Sequence, residues 1–228
     1  MEGKALSVAL ASLLLMSAPA VYAAAGDTPV QQPGARDADA QEVIHHAVGA
    51  VQRAKADARF EALIRQSKGI VIIPNLVKGA AVIGGEGGQG VLLAHRHEQW
   101  SDPAFIAAGG FSVGGQIGGE AGPVVMLLMS DKAVADFTQR DNFSLKGDAD
   151  LTVVHYSKQA EGGFGGGDVV LWSGETGAFV GASLTAADFR ANGERDAHFY
   201  GQRVTTGQII SGVVHNPESD ALRNSLPL

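Results

Sequence analysis

Histidines around a single arginine, paired aspartates and serines set among glycines are the residues of this chain that could do chemistry. His95 and His97 flank Arg96. On an extended strand, where side chains alternate, both imidazoles would face one side, a spacing that could lend two ligands to Zn²⁺. A tetrahedral site needs further donors, and His155, His198 and His215 are scattered, with no helical HExxH pair. The pair therefore reads as solvent-facing histidines at a hairpin tip, and no metal site is expected. Asp148 and Asp150 in KGDADL would share one side of a strand and could hold a cation or share a proton; in a turn-to-strand position such residues cap and solvate the edge. Ser112 in GGFSVGG and Ser183 in VGASLTA have glycine neighbours, but neither fits the G-x-S-x-G elbow of a nucleophilic serine. The run GGEGGQG, Gly84 to Gly90, lacks the Lys-Ser or Lys-Thr pair that opens a helix in a phosphate loop, and it precedes a strand. It reads as a turn between strands, as does GGFGGG from Gly162 to Gly167. No catalytic set and no cofactor fingerprint emerges, so the chain reads as non-enzymatic.

The elements that would position these residues follow from texture. Gln41 to Gln66 places Ile44, Val48, Val51, Ala58, Phe60, Leu63 and Ile64 near helical spacing. Asp39 is the expected N-cap, with Glu42 three residues on, and Gly69 the stop. From Gly69 to Met129 short β-branched runs alternate with glycine, and Gly79 to Gly122 holds 13 glycines in 44 residues. A flexible linker would lack those apolar runs. Val71 to Ile73, Ala81 to Ile83, Val91 to Leu93 and Val113 to Ile117 read as strands, with turns at Asn75, at Gly84 to Gly90 and at His95 to Asp102. A short helix is expected over Ser130 to Gln139 with Ser130 as cap, then strands at Leu151 to Tyr156, Val169 to Trp172 and Ala178 to Leu184, and a last helix over Val204 to Ser211. Clustered strands with helices at the margins predict an α+β fold: a mainly antiparallel, Gly-rich β-sheet domain with an N-terminal amphipathic helix and short flanking helices.

The ends divide the chain further. Residues 1–23 place Lys4 before an apolar run from Ala5 to Met16, followed by small residues, the layout of a signal peptide cleaved after Ala23 or Ala25. Residues 24–40 read as a flexible leader, 41–215 as one domain and 216–228 as a polar tail. Export would place the protein in a periplasm or outer envelope. The absence of cysteine means that no disulfide supports the fold.

The net charge of −7 argues against nucleic acid, whose binding needs a broad basic surface. The charge is uneven. Val51 to Lys68 carries Arg53, Lys55, Arg59, Arg65 and Lys68 against Asp57 and Glu61, while the rest of the chain to residue 228 has 10 basic and 17 acidic residues. This basic amphipathic helix has two readings: a charged face solvated above a docked apolar stripe, or a surface for anionic headgroups. Trp100, followed by SDPAF, is likewise either a sheet-edge plug or an interfacial anchor.

The series KGIVIIPNLVK, a glycine-rich turn, WSDPAF, GGFSVGGQIG, VVMLLMS, KGDADL, GAFVGASL and a late FYG resembles the SYLF domain, shared by bacterial envelope proteins and yeast actin-patch proteins. The resemblance covers roughly Val43 to Ser211. It implies a non-enzymatic lipid-binding module that meets anionic, phosphoinositide-like phospholipid headgroups at a membrane surface. It also implies Lys68 and Lys78, which flank GIVIIPNLV at positions where the family carries Lys, as the first lipid-binding residues, with Arg65, Arg96 and Trp100 behind them. Glu86, Glu98 and Glu120 in or beside the glycine segments depart from a strongly basic domain. A second reading is an envelope structural or protein-interaction module whose Gly-rich sheet edges pair with a partner strand.

Overall fold

The computed structural model describes residues 33–78, 84–112, 120–139, 142–144, 152–156, 167–174 and 188–228. These all belong to one compact unit, residues 32–228. The expected signal segment lies outside the described residues, as do the runs at 79–83, 113–119 and 175–187.

Helical spacing at the start resolves into two helices. α1 spans Pro33–Lys55 and α2 spans Ala58–Gln66. The break falls at Asp57, whose carboxylate accepts from the N–H groups of Arg59 (2.9 Å) and Phe60 (3.4 Å) and so caps α2. A continuous hydrophobic pattern across the break concealed this second start. The expected leader is helical from Pro33, and Asp39 lies inside α1 rather than at its N-cap, where it pairs with Arg195. α1 buries Ala40, Val43, Ile44, Ala47, Ala50, Val51 and Ala54. Its alanines let the helix lie close to the sheet.

Nine strands follow among the described residues: β1 Gly69–Lys78, β2 Gly84–Arg96, β3 Gln99–Trp100, β4 Ala104–Ser112, β5 Glu120–Leu128, β6 Asn142–Ser144, β7 Val153–His155, β8 Val169–Ser173 and β9 Asp188–Ala191. Their spatial order is β6-β9-β4-β2-β1-β5-β8-β7, with β3 paired to β2. Neighbours are antiparallel except β7 and β8. The mainly antiparallel α+β fold expected from the sequence is therefore present, with one parallel pair.

Helices cover both faces of the sheet. Against one face lie α1, α2, the end of α4 (Gly193–Phe199) and α6 (Asp220–Ser225), on Ile70, Ile72, Val91, Leu93, Phe105, Val125 and Leu127. Against the other lie α3 (Asp131–Gln139) and α5 (Thr206–Ile210), on Val71, Ile73, Leu92, Val124 and Met126. Alternating residues of β1, β2 and β5 thus feed two cores, which is why those strands read as unbroken apolar runs.

The glycine run Gly84 to Gly90 is strand, not turn. It belongs to β2 and pairs with β4 residue by residue from Gly84↔Ser112 to Gly90↔Ile106. What it accommodates is a bulge in β1. On the β5 side, Ile73 pairs with Val124 and Leu76 with Gly122, so Pro74 and Asn75 stand opposite Pro123 alone. A Cβ on Gly88 would lie 2.8 Å from the Asn75 carbonyl oxygen, and one on Gly90 would press on the Ile72 carbonyl. Proline, with no N–H to give a ladder, and glycine, with no Cβ, are the residues such a bulge admits.

The expected polar tail is instead a packed closing segment. Pro217–Ser219 forms a 3₁₀ turn leading into α6, and Leu222 and Leu226 are buried. The WSDPAF motif holds this segment. Asp102, 4% exposed, accepts from Ser219 Oγ (2.5 Å), Asn216 N (3.2 Å) and His215 Nδ1 (3.2 Å). Trp100 Nε1 donates to the Pro227 carbonyl (2.9 Å), and Arg223 Nε to the Trp100 carbonyl (3.0 Å). Replacing Asp102 by Ala strands buried donors, and we expect a loss of about 3 kcal/mol in urea unfolding, with new proteolytic cleavage after Gly212. Unchanged stability and an intact cleavage pattern would remove Asp102 from this role.

Candidate functional site

Three of the five residues singled out from the sequence gather at one end of the sheet. Ser67 terminates α2, its N–H and hydroxyl both donating to the Ile64 carbonyl (3.2 and 2.8 Å). Lys68 follows, its N–H donating to the Leu128 carbonyl (2.8 Å) and its carbonyl accepting from His95 N (2.9 Å). The Lys68 backbone is thereby fixed between β5 and β2 while its side chain is exposed. β2 ends at Arg96, also exposed, and the chain reverses over His97 and Glu98, both at positive φ (48° and 61°), into β3. With Arg96 opposite Gln99, this is a two-residue hairpin of the primed type. The reversal separates His97 from the strand, so His95 and His97 do not share an extended face. Among the described residues there is no group of three His, Cys, Asp or Glu arranged to hold a metal ion.

His95 is oriented from two sides. Its ring stacks on Trp100, with centroids 4.5 Å apart and planes 10° off parallel. Its Nδ1 lies 3.2 Å from the Ser67 carbonyl oxygen, and its Nε2 is buried without a partner. Trp100, only 2% exposed, is the sheet-edge plug and backs the histidine; it does not stand out as an interfacial anchor.

The opposite wall is α3. Ser130 Oγ accepts from Ala133 N (3.2 Å) and donates to Asp168 (2.7 Å). That hydroxyl, together with the Thr152 N–H, holds the Asp168 carboxyl below the usual carboxylate range. The helix comes close because Gly69 leaves room: a Cβ there would meet Val134 Cγ2 and the Leu93 carbonyl oxygen at 3.1 Å each. Between α3 and the end of β2 lies a cavity of about 340 Å³, lined among others by Lys68, His95, Arg96, Asp131, Thr138 and Gln139. Among the described residues, Lys68 and Arg96 have no ion-pair partner. These two exposed cations, an aligned imidazole and the polar face of a helix make an arrangement able to hold an anion.

Arg65, on the last turn of α2, is exposed but engaged, pairing with Glu61 (2.7 Å) and donating to the Leu228 carbonyl (2.6 Å). Lys78 is elsewhere. It closes β1, ten residues from Lys68, which at ~3.3 Å per strand residue is roughly 30 Å. Its register places it between Glu86 on β2 and Glu120 on β5. The two lysines that frame GIVIIPNLV thus occupy opposite ends of the sheet, and one ligand cannot span them.

Asp131, Thr138 and Gln139 were not among the residues drawn from the sequence. The helix that carries them was visible in SDKAVADFTQ, but which of its turns meets Lys68 is decided by a strand pairing more than 60 residues upstream. Of the catalytic candidates, Asp148, Asp150 and Ser183 lie outside the described residues, and Ser112 ends β4 opposite Gly84. The structure does bring an aspartate, a histidine and a serine together, as Asp102, His215 and Ser219. The serine hydroxyl donates to Asp102 and to the Asn216 carbonyl rather than to the imidazole, so the hydrogen-bond order is that of a structural clasp.

Comparison with known proteins places the chain in a family. A sequence profile of the Ysc84 family, described as Las17-binding protein actin regulator, matches residues 109–227 and so includes the clasped closing segment. The chain is 29% identical over 161 residues to Protein YSC84 of Saccharomyces cerevisiae, covering 68% of this chain and 34% of that protein. It is 28% identical over 161 residues to LAS seventeen-binding protein 3 of the same yeast, covering 68% of this chain and 35% of that protein. To SH3 domain-containing YSC84-like protein 1 of Homo sapiens it is 27% identical over 159 residues, 68% of this chain and 46% of that protein. The match therefore spans between a third and a half of these relatives. No solved structure matches. The profile extends over more than half of the chain, and with it the chain belongs to the Ysc84 family, the SYLF-domain proteins whose motifs it carries.

Proposed function

We propose that this protein is a non-enzymatic binding module that associates with anionic phospholipid surfaces through the end of its sheet carrying Lys68 and Arg96. The observation that carries this reading is the pair of exposed cations, without an ion pair among the described residues, that line one polar cavity together. Each cation near an anionic surface contributes ~1 kcal/mol, and Arg65 on the adjoining helix turn can add to the same field. The relatives' names describe binding and regulation, which supports a binding role over catalysis. The N-terminal segment supports export to a bacterial envelope as the setting. Pairing of a partner strand along Gly84 to Gly90 is disfavoured, because that run lies inside the sheet between β1 and β4.

Vesicle co-sedimentation tests the proposal. Phosphatidylglycerol vesicles should retain the protein at low salt and release it as salt rises, while phosphatidylcholine vesicles should not retain it. A Lys68→Glu, Arg96→Glu double variant should bind at least about 30-fold more weakly, equivalent to some 2 kcal/mol. Lys78→Glu, at the far end of β1, should bind as the wild type does. Absence of binding at low salt, or loss in the Lys78 variant alone, would overturn the assignment.

A further inference from the structure

The hairpin that presents Arg96 has little hold of its own. β3 is two residues long and pairs with β2 only through His95↔Trp100 and Arg96↔Gln99. Its reversal places two side-chain-bearing residues, His97 and Glu98, at positive φ, a conformation few such residues adopt. What seats the hairpin is the closing segment. The Pro227 carbonyl accepts from Trp100 Nε1 (2.9 Å) and Arg223 Nε donates to the Trp100 carbonyl (3.0 Å), so side chain and backbone of one β3 residue are both tied to residues 223–227. Arg65 is tied to the same segment, through the Leu228 carbonyl (2.6 Å). Lys68 is not: its backbone is held by Leu128 and His95.

The segment itself joins the body through Ser211, Gly212 and Val213, all exposed, with Gly212 at φ 80°. Beyond that link it is locked by Asp102, which lies two residues past Trp100, so the clasp and the hairpin share one short stretch of chain. An unpacked link followed by a polar clasp gives an element with a docked and a lifted state. We infer that docking of residues 213–228 and engagement of an anionic surface are one coupled equilibrium, with β3 as the shared element. Docked, the segment fixes Arg96 and Arg65 beside Lys68. Lifted, it releases both, and the surface keeps only one placed cation. By linkage, a bound surface holds the segment down by the same factor. The closing segment is thus a regulator of the binding surface, and the inference rests on the membrane reading above for the nature of that surface.

Amide hydrogen exchange of the full chain, with and without phosphatidylglycerol vesicles, reads the coupling. Saturating vesicles should slow exchange across residues 216–227 by about fivefold or more, the factor that one placed cation supplies. Ser219→Ala removes one donor from Asp102 and should speed exchange in the segment. Without any vesicle, it should also speed exchange at Ser101, whose N–H donates across the hairpin to the Ala94 carbonyl (2.9 Å). Trp100→Phe keeps a ring against His95 but has no N–H for Pro227; it leaves the Asp102 clasp in place and should reduce the vesicle-induced slowing to less than about twofold. A segment that opens faster in Ser219→Ala while Ser101 does not would show that β3 is not shared, and overturns the inference whatever the vesicles do. Vesicles that bind the wild type without slowing residues 216–227 overturn it and leave the membrane reading intact. Failure of the wild type to bind at low salt overturns both.

Discussion

Gly90→Ala is expected to lower the stability of this protein by more than about 3 kcal/mol, or about 10 °C in Tm. The added methyl would press on the Ile72 carbonyl and stand 3.0 Å from Ile73 Cγ1, and neither can retreat. Ile72 is fixed between Val91 on β2 and Val125 on β5, and its side chain is fully buried. Relief would require moving the β1 bulge, and with it the pairings on both sides. The comparison set lies in the same chain. Gly87→Ala would meet only the Ala108 carbonyl oxygen at 3.6 Å, an ordinary contact, and should cost less than about 1 kcal/mol. Gly49→Ala, on the exposed face of α1 with nothing within 4 Å, should stabilise by about 0.5–1 kcal/mol through helix propensity. Urea unfolding of the three variants checks the order. Equal, small effects at all three would mean that the glycines of β2 are not there to seat the bulge.

Stability should fall as pH rises from about 4 to about 7, because of a single buried carboxyl. Asp196, on α4, is 1% exposed; Oδ1 accepts from Phe105 N (2.8 Å), while Oδ2 is buried without a partner. Burial pushes its pKa from 3.8 up to about 7, against the opposing pull of the Phe105 N–H and of Arg195. The native state therefore holds a proton that the unfolded chain has released throughout this interval. Fewer protons on the unfolded state make the slope of stability against pH negative, and above the native pKa the loss is complete. A displacement of roughly three pH units corresponds to at most about 4 kcal/mol. Asp196→Asn keeps an acceptor for Phe105 N and cannot ionise, so its stability should be flat over the same range and exceed that of the wild type at pH 8. A wild-type profile without this decline, or one that Asp196→Asn leaves in place, would assign the pH response to other groups.

Much of the architecture is legible in the sequence because it rests on local period and on breakers. The helix over Ser130 to Gln139 and the strands at Val71 to Ile73 and at Val169 all follow from neighbouring residues. Misreadings arise where meaning depends on distant partners. Gly84 to Gly90 has the composition of a turn, and only the Pro74–Asn75 bulge beside it shows why a strand should lack side chains. The segment after His215 is polar in composition, yet Leu222 and Leu226 reach the core because Asp102, more than 110 residues earlier, collects Asn216 and Ser219. The residues around the cavity divide in the same way. The family resemblance pointed to Lys68 and Arg96, but that they share a cavity with His95 and α3, and that Lys78 does not, follows from the pairing of β1 with both β2 and β5.

The clasp on the closing segment also sets an order of events during synthesis. Lys55 donates to the Ser225 carbonyl across 170 residues, and Trp100 to that of Pro227 across 127. Leu222 and Leu226 complete the core that α1 begins. A nascent chain can pair β1 with β2 early, because that contact is local, but it cannot complete the core around α1 until residues 219–227 have emerged. Until then the part of the first helix that meets Leu222 and Leu226 stays uncovered, and a chain clipped shortly before Ser219 should be cut by proteases faster than the full chain.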